Sequence, residues 1–384
     1  MVKGLSKLIA DHSIKTNDVE AYFSRKIAID APTSLYQFLI EIRQDGMSLQ
    51  DDAGESTSHL NGFFYKTIKI MEAGMKPVYI FNGVPPTLKV EESERRGESH
   101  DKDNKQLKGA VQKGDQEAID KYKRRLVKPS EEEIQESKRL LKLMGVPVIE
   151  APAEAIAQCA ELVKAGKVFA TASENMGALA FGSSILLRHL SFSTDEKKPV
   201  KEYNLDRILK EMDFTQEQFI DMCILLGCNY CPSITGIGPK RAFDLINTYK
   251  TIERILKKLD PDKYSPPKDW QFAAARELFL HPEVIKADEI DLKWTNPDEK
   301  GIVEFLCNKK GFNEARVKNA LERLHKGRKT ATQSRVDSFF QSDGHKVSTP
   351  TATKRKAENA KNVSAKKAKT AASGKATKNR TKRK

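Results

Sequence analysis

The sequence predicts an α/β fold in which a mostly parallel central sheet is flanked by helices. Three short apolar runs, at residues 26–29, 77–81 and 167–170, have the length of buried strands. Stretches with apolar residues at helical spacing, such as 36–43 and 60–71, lie among them. Strands that alternate with helices favour parallel pairing, with helices covering both faces of the sheet.

Each apolar run leads into polar residues where the strand should end. Asp30 follows the first run, Asn82 follows the second, and Glu174 and Asn175 follow the third; Glu154 opens a helix between the second and third runs. Because sites in parallel sheets form beyond the carboxyl ends of the strands, these side chains are candidates for one site. The positions suit metal-bound carboxylates, yet most are neutral.

Composition limits the class of protein. The 384 residues suffice for about one to three domains with a real core. No apolar run reaches about 18 residues, which predicts no membrane span, and the first residues do not resemble a secretory signal. Five cysteines are too few for a disulfide scaffold of this size, which favours a reducing compartment.

The net charge of +14 belongs mainly to the tail. Residues 344–384 contain 14 Lys and Arg against one acid, Glu358, so this segment carries +13 and the rest of the chain +1. A tail of Ser, Thr, Ala and Lys without apolar periodicity predicts disorder from 329 onward. Its basic clusters, at 354–356, 366–369 and 382–384, are typical of nuclear import or nucleic-acid binding, and a merely solubilising tail is the alternative.

Residues 87–128 are highly charged and predict a helical excursion from the sheet, or a plain solvated helical hairpin. Ser130 and Glu133 then form the pattern of a capping box, which predicts a helix from there to about Met144 that stops at Gly145.

The stretch Gly236-Ile237-Gly238-Pro239-Lys240-Arg241 predicts a phosphate-binding turn followed by a helix. Lys240 and Arg241 would stand in the first helical turn, where cations oppose the helix dipole, and this suggests an anionic partner. An ordinary glycine turn between helices is the alternative.

Two further motifs have competing interpretations. Val336, Phe339 and Phe340 would share one face of a short helical turn suited to an apolar groove, or would pack back on the body. Cys228 and Cys231 form a Cys-x-x-Cys without a second ligand pair at zinc spacing, which favours two structural cysteines in a reduced protein.

Taken together, the chain resembles the eukaryotic flap endonucleases, XPG/Rad2-type nucleases that remove 5′ flaps. The matching segments follow one order along nearly the whole chain: 4–10, 29–31, 36–40, 57–60, 76–81, 162–168, 225–227, the glycine turn and the Phe-Phe tail motif.

The resemblance implies a 5′-nuclease or PIN-like sheet with a helical arch above the site and a helix–two-turn–helix unit that grips duplex DNA. Residues from 87 match the arch, and 236–241 match the helix–two-turn–helix. The implied regions are an N-terminal nuclease region (1–103), an arch and connector (104–128, the arch starting near 87), an internal nuclease region (129–260), a C-terminal helical part of the core (261–328) and the disordered tail (329–384).

The resemblance also implies roles for single residues. Tyr36 matches the residue that stacks on the base at the scissile position, Arg43 and Lys66 match duplex contacts, and Lys89 matches the arch lysine that neutralises the attacked phosphate. Further DNA contacts implied by position are Arg95, Arg96, Glu154, Gly227, Asn229, Gly236, Gly238, Lys240 and Arg241. Gln333, Val336, Phe339 and Phe340 match the motif that binds the replication sliding clamp, PCNA.

The departures from the family pattern concern the metal ligands. The family holds two Mg²⁺ ions with seven carboxylates, and this chain keeps two, Asp30 and Glu154. The other five positions are Asn82, Ile156, Asn175, Gly177 and Asn229. Val2 stands where the family has glycine, and the second basic catalytic residue of the arch has no clear counterpart.

Two cations held close together need anionic ligands to offset their repulsion, and two carboxylates give little offset. We therefore expect a protein that binds 5′-flap or nicked DNA in replication and base-excision repair, docks on the sliding clamp, and is catalytically impaired. The alternatives are an active 5′-flap endonuclease and 5′–3′ exonuclease, which would use one metal at Asp30 and Glu154 with help from Glu174 and Lys89, and a clamp-binding adaptor alone.

The resemblance finally implies a monomer that works on the trimeric clamp, without a membrane partner. It implies a nuclear location, with the mitochondrion as a second location found in the family.

Overall fold

A computed structural model describes residues 2–10, 14–44, 47–51, 54–190, 199–260 and 262–331. The strands are β1 (Ile14–Asn17), β2 (Lys26–Asp30), β3 (Arg43–Gln44), β4 (Met47–Ser48), β5 (Lys76–Phe81), β6 (Val148–Glu150), β7 (Ala170–Ala172), β8 (Ile185–Arg188) and β9 (Val200–Asn204). In the described part of the chain, seven strands form one sheet in the order β1-β9-β8-β7-β2-β5-β6, and β3 pairs with β4.

The predicted mostly parallel sheet is confirmed. β2 pairs in parallel with β5 and β7, β5 with β6, and β7 with β8. Only the edge is antiparallel, where β9 joins β8 to β1.

Helices cover the sheet and extend beyond it. They are α1 (Leu5–Leu8), α2 (Ala31–Glu41), α3 (Ser58–Glu72), α4 (Thr87–Lys113), α5 (Gln116–Arg125), α6 (Glu131–Leu143), α7 (Ala155–Lys164), α8 (Gly177–Ala180), α9 (Leu205–Met212), α10 (Gln216–Leu226), α11 (Pro239–Tyr249), α12 (Ile252–Leu256), α13 (Phe272–Leu280), α14 (Glu299–Val303) and α15 (Glu314–Ala331). Short 3₁₀ turns occupy Val19–Tyr22 and Ala287–Glu289, and a π-helical turn occupies Glu304–Lys309. None of the described helices is both long and apolar enough to cross a bilayer.

The central strand β2 separates two apolar layers. Ile27 and Ile29 point into a core shared with α2, α3 and α15, whereas Ala28 points into a core shared with α7. All three side chains are at most 1% exposed. Burial on both faces explains why this strand is continuously apolar, because side chains alternate across a sheet.

The charged excursion forms a helical hairpin, as predicted. α4 and α5 are joined at Gly114, which has φ of 67° and closes α4 in the left-handed conformation that glycine adopts without strain. Asp115 then caps α5 by accepting a hydrogen bond from the amide of Ala118 at 3.0 Å. The capping box of Ser130 and Glu133 is also confirmed at the start of α6.

Two boundaries differ from the sequence prediction. Arg43 is not part of the helix predicted over 36–43, because Ile42 turns to extended backbone and its carbonyl accepts a hydrogen bond from the Ser58 hydroxyl at 2.6 Å. The third apolar run forms a strand only from Ala170, because the amides of Lys167 and Val168 bond back to α7.

Residues 329–331, predicted as the start of a disordered tail, belong instead to α15, which continues to Ala331. The clamp motif, 333–340, and the basic clusters of the tail lie outside the described residues.

Two glycines in helices provide a matched test of packing. An added Cβ at Gly62 in α3 would lie 2.1 Å from Cγ of Phe38, whereas one at Gly109 in α4 would meet nothing within 4 Å. We expect Gly62→Ala to lower the free energy of unfolding by about 1–3 kcal/mol through overpacking. Gly109→Ala should leave it unchanged or raise it by up to about 1 kcal/mol through helix propensity. Urea unfolding followed by circular dichroism measures both, and equal effects would contradict this packing of α2 on α3.

Candidate active site at the carboxyl edge of the sheet

The parallel strands bring the candidate residues to one edge. Asp30 is the last residue of β2, Asn82 follows β5 directly, and Ser173 follows β7 directly. Glu154 precedes the first residue of α7, which the chain enters after β6. The sheet order places these four strand ends next to one another, so the edge predicted from the sequence is where these positions meet.

Asp30 is buried and fully engaged. Its Oδ2 accepts hydrogen bonds from the hydroxyls of Thr33 and Ser173, each at 2.6 Å, and its Oδ1 accepts one from the Thr33 amide at 3.3 Å. Asp30 thereby caps α2, where the helix dipole favours a negative charge. Its charge also reaches α7, since burial first and Asp30 second raise the pKa of the Cys159 thiol.

Glu154 is paired with the arch lysine. The Nζ of Lys89 lies 2.6 Å from Oε1 of Glu154, and the two side chains are 28% and 7% exposed. Lys89 stands in the first turn of α4, so this ion pair joins the base of the helical hairpin to the start of α7. Burial raises the pKa of the Tyr230 phenol, and the charge of Glu154 raises it further.

Asn82 has a structural hydrogen bond. Its Oδ1 accepts from the amide of Ala155 at 2.9 Å and so satisfies a donor in the first turn of α7. The next residue, Gly83, donates to the carbonyl of Ala153 at 2.9 Å. A Cβ at Gly83 would lie 2.1 Å from the carbonyl oxygen of Ala151, so only glycine allows this close approach of two loops.

The other neutral positions also serve the fold. Ile156 is 3% exposed and belongs to an apolar core. Asn175 accepts a hydrogen bond on Oδ1 from the amide of Gly177 at 3.0 Å, which closes the turn before α8. Asn229 is half-buried in the turn after α10.

The side chains at this edge of the sheet do not provide the ligands for a pair of divalent ions. In the described residues, no group of three or more His, Cys, Asp or Glu side chains converges in a way that could hold a metal. One retained carboxylate is occupied by three hydrogen bonds and the other by an ammonium group. Mg²⁺ takes near-octahedral oxygen ligation, usually from one or two carboxylates together with waters and phosphate oxygens, so two ions here would have to share two carboxylates that are already engaged.

Glu174, which the one-metal alternative would use, is bound by other groups in this structure. Its carboxylate accepts from Arg188 at 2.9–3.0 Å and from the His189 amide at 2.6 Å, so β8 holds it.

Lys66 lies near Asp30. Its Nζ donates to the Ser34 hydroxyl at 3.2 Å. Burial lowers the pKa of Lys66 to about 8, and the charges of Glu174, Glu41 and Asp30 oppose this decrease, so the ammonium is mostly protonated at pH 7.

The predicted DNA-contact residues lie on several elements. Tyr36 on α2 is 43% exposed, as a base-stacking side chain requires. Arg43 lies in β3, and Arg95 and Arg96 lie on α4; the structure does not describe the side chains of these three arginines. Lys66 on α3 is half-buried, and its Nζ is turned toward Ser34 of α2. Their roles toward DNA stay predictions.

The glycine turn has the geometry predicted for it. Gly236 has φ of 85° and Gly238 is the N-cap of α11, with Pro239 as the first helical residue. Lys240 and Arg241 are exposed in the first turn, and the Arg241 guanidinium lies 5.7 Å from the ring centre of Tyr264. Gly227, with φ of 87°, ends α10 beside the site.

Cys228 and Cys231 are buried, with their Sγ atoms 3.7 Å apart, as the interpretation of two structural cysteines expects.

Sequence reasoning missed Thr33, Ser173 and Arg188, which fix the two acids Asp30 and Glu174. Ser173 stands three residues after the apolar run 167–170 and just before Glu174, which is the one local signal; Arg188 is brought in by strand pairing that no local pattern reveals.

Two family models match the chain, the XPG N-terminal domain over residues 1–103 and the XPG I-region over 145–229. A curated relative, Flap endonuclease 1 of Caenorhabditis briggsae, is 52% identical over 360 residues, which are 93% of this chain and 94% of the relative.

Solved structures are similar as well. Flap endonuclease-1 from Methanococcus jannaschii has a TM-score of 0.67 and 32% identity, covering 86% of this chain and 99% of its own. The catalytic core of Rad2 in complex with DNA substrate has a TM-score of 0.66 at 23% identity, covering 84% and 100%, and this likeness supports the fold alone. Because a relative at 52% identity spans nearly the full length, this chain belongs to the flap endonuclease family.

Proposed function

We propose that this protein binds 5′-flap or nicked duplex DNA and hydrolyses it poorly or not at all. The proposal rests on the contacts of the neutral positions at the sheet edge. Asn82 accepts a hydrogen bond from the first turn of α7, Asn175 closes a turn, and Ile156 packs in an apolar core. The exposed cations at the start of α11 support duplex binding.

The second candidate is an active 5′-flap endonuclease and 5′–3′ exonuclease. The names of the relatives favour it, since proteins called Flap endonuclease 1 match nearly the whole chain at about half identity. The comparisons support this candidate better than they support impaired catalysis. The small number of carboxylates at the sheet edge favours impaired catalysis instead, and measuring DNA cleavage distinguishes the two candidates.

The proposal extends to the partner, the location and the cofactor of the protein. Docking on the sliding clamp rests on Gln333, Val336, Phe339 and Phe340, outside the described residues. A nuclear site of action, with replication and base-excision repair as the processes, rests on the family resemblance and the basic tail. Mg²⁺ as cofactor belongs to the second candidate, which requires it.

A single-turnover assay on labelled 5′-flap DNA with Mg²⁺ measures binding and cleavage in the same samples. We expect flap DNA to be bound more tightly than plain duplex and to remain uncut. Asp30→Ala together with Glu154→Ala is the control that identifies contaminating nuclease. Cleavage by the natural chain that this control abolishes would establish the active endonuclease instead.

Restoring charge tests whether the neutral positions limit hydrolysis. Asn82→Asp, Asn175→Asp and Asn229→Asp preserve side-chain shape, and an aspartate at 82 or 175 still accepts the hydrogen bond described above. Because metal-ion catalysis contributes several kcal/mol, we expect the triple variant to cleave flaps at least about 100-fold faster with Mg²⁺. The same triple variant with Asp30→Ala should gain nothing. An unchanged rate in a chain that already cleaves would favour an alternative working site.

Charge reversal at α11 tests whether the body binds DNA or the protein is only a clamp adaptor. We expect Lys240→Glu with Arg241→Glu to weaken flap binding about tenfold or more and to reduce its salt dependence, because phosphate contacts are lost. Lys286→Glu with Lys293→Glu changes the charge equally near Trp294, which bonds to the start of β5 at the opposite edge, and should have little effect. Equal affinities for all three proteins would support the adaptor.

A further inference from the structure

Two thiols lie in contact in the turn that follows α10. The Sγ atoms of Cys228 and Cys231 are 3.7 Å apart, and both side chains are 1% exposed. A disulfide needs an S–S distance of about 2.05 Å, so the two sulfurs have to approach by less than the width of one atom. Rotation about the side-chain bonds can supply a shift of this size while the backbone stays in place.

A hydrogen bond closes the turn around the two thiols. The amide of Cys228 donates to the carbonyl of Cys231 at 3.2 Å and so draws their backbones together. Gly227, directly before the turn, has φ of 87°, and a Cβ there would lie 3.0 Å from Cβ of Ser233. The chain therefore doubles back tightly at this point, and the backbone itself brings the sulfurs into contact.

Contacts outside the turn keep it in place. The indole of Trp270 donates to the carbonyl of Pro232 at 2.8 Å. Between the cysteines, the ring centre of Tyr230 lies 6.3 Å from that of Phe181 and 5.1 Å from that of Phe279, each pair edge-on. These contacts do not involve the sulfurs. Because the two thiols are held together in one molecule, closure of a ring between them is favoured over reaction with a second molecule.

The turn lies close to solvent although its sulfurs are buried. Asn229, Pro232 and Ser233 are half-buried, and Thr235 and Gly236 are exposed. An oxidant as small as hydrogen peroxide therefore needs only a local opening of this turn to reach the thiols.

We propose that Cys228 and Cys231 form a site of reversible oxidation, at which hydrogen peroxide converts the two thiols into one intrachain disulfide. The thiolate of one cysteine attacks a peroxide oxygen, the O–O bond breaks, and the hydroxide that leaves takes up the thiol proton as water, which gives a sulfenic acid. The second sulfur attacks the sulfenic sulfur, the S–O bond breaks, and a second water leaves with the remaining thiol proton. The two thiols are oxidised by two electrons and the peroxide is reduced to two waters.

The resting state returns by thiol–disulfide exchange with a dithiol, which takes up the two electrons. This chemistry goes beyond the proposed function and does not depend on whether the protein binds or cuts DNA.

The test oxidises Cys307→Ser, because the half-buried single thiol of Cys307 could otherwise link two molecules. Without Cys307, the five cysteines of the chain become four. After treatment with stoichiometric hydrogen peroxide, thiol titration in denaturant should fall from four thiols to two, and the intact mass should fall by two hydrogens. Peptide mapping should place the bond between Cys228 and Cys231, and dithiothreitol should restore both thiols.

Two variants in the same background make the test specific. Cys228→Ser and Cys231→Ser each remove one partner, so neither should lose two hydrogens. The protein unfolded in urea is the positive control for the oxidant. If the folded protein keeps all four thiols under conditions that form the disulfide in urea, the inference is wrong. Sulfinic acid at one cysteine without a disulfide would also overturn it.

Thermal unfolding tests whether the turn is set for the bond. The oxidised protein should have a Tm about 2 °C or more above that of the reduced protein, because the disulfide restricts the unfolded chain. A lower Tm after oxidation would contradict the inference, because it would show that the bond forms only by distorting the turn. Cys228→Ser should have the same Tm with and without peroxide.

Discussion

Parallel pairing of β2 with β5 and β7 is the constraint on which the rest of the structure depends. It fixes the register between Asp30 and Ile80 and between Ile29 and Ala172, and so brings the carboxyl ends of the strands together. Because β2 is buried on both faces, a slip in register would expose its apolar side chains or misplace them between two cores. The position of the site follows from the same packing that stabilises the sheet.

The sequence allowed prediction of features that local chemistry controls. The capping box at Ser130, the strand that ends at Asp30 and the hairpin over 87–128 follow from residue types and their spacing. The partners of the acids could not be predicted, because Ser173 and Asp30 are 143 positions apart and meet only after the strands pair. Strand β7 begins later than the apolar run 167–170 predicts. The amides of Lys167 and Val168, the first residues of that run, donate hydrogen bonds that close the end of α7.

The neutral positions at the sheet edge keep hydrogen-bond acceptors although they carry no charge. Asn82 and Asn175 keep an oxygen acceptor where an aspartate would have one, and each satisfies a backbone amide. Clustered carboxylates repel one another and the phosphates of DNA, whereas amides do not. At this edge the two amides contribute to folding through backbone hydrogen bonds, and a lysine is paired with the retained Glu154.

The burial of Ile156 distinguishes this position from the asparagines. Its side chain is 3% exposed and packs with apolar neighbours, so a glutamate at this position alone would place a charge in a core without a partner. The asparagines, in contrast, already have the shape of aspartate, and each can be replaced without new volume. The folding cost of a full set of acids is therefore concentrated at the isoleucine.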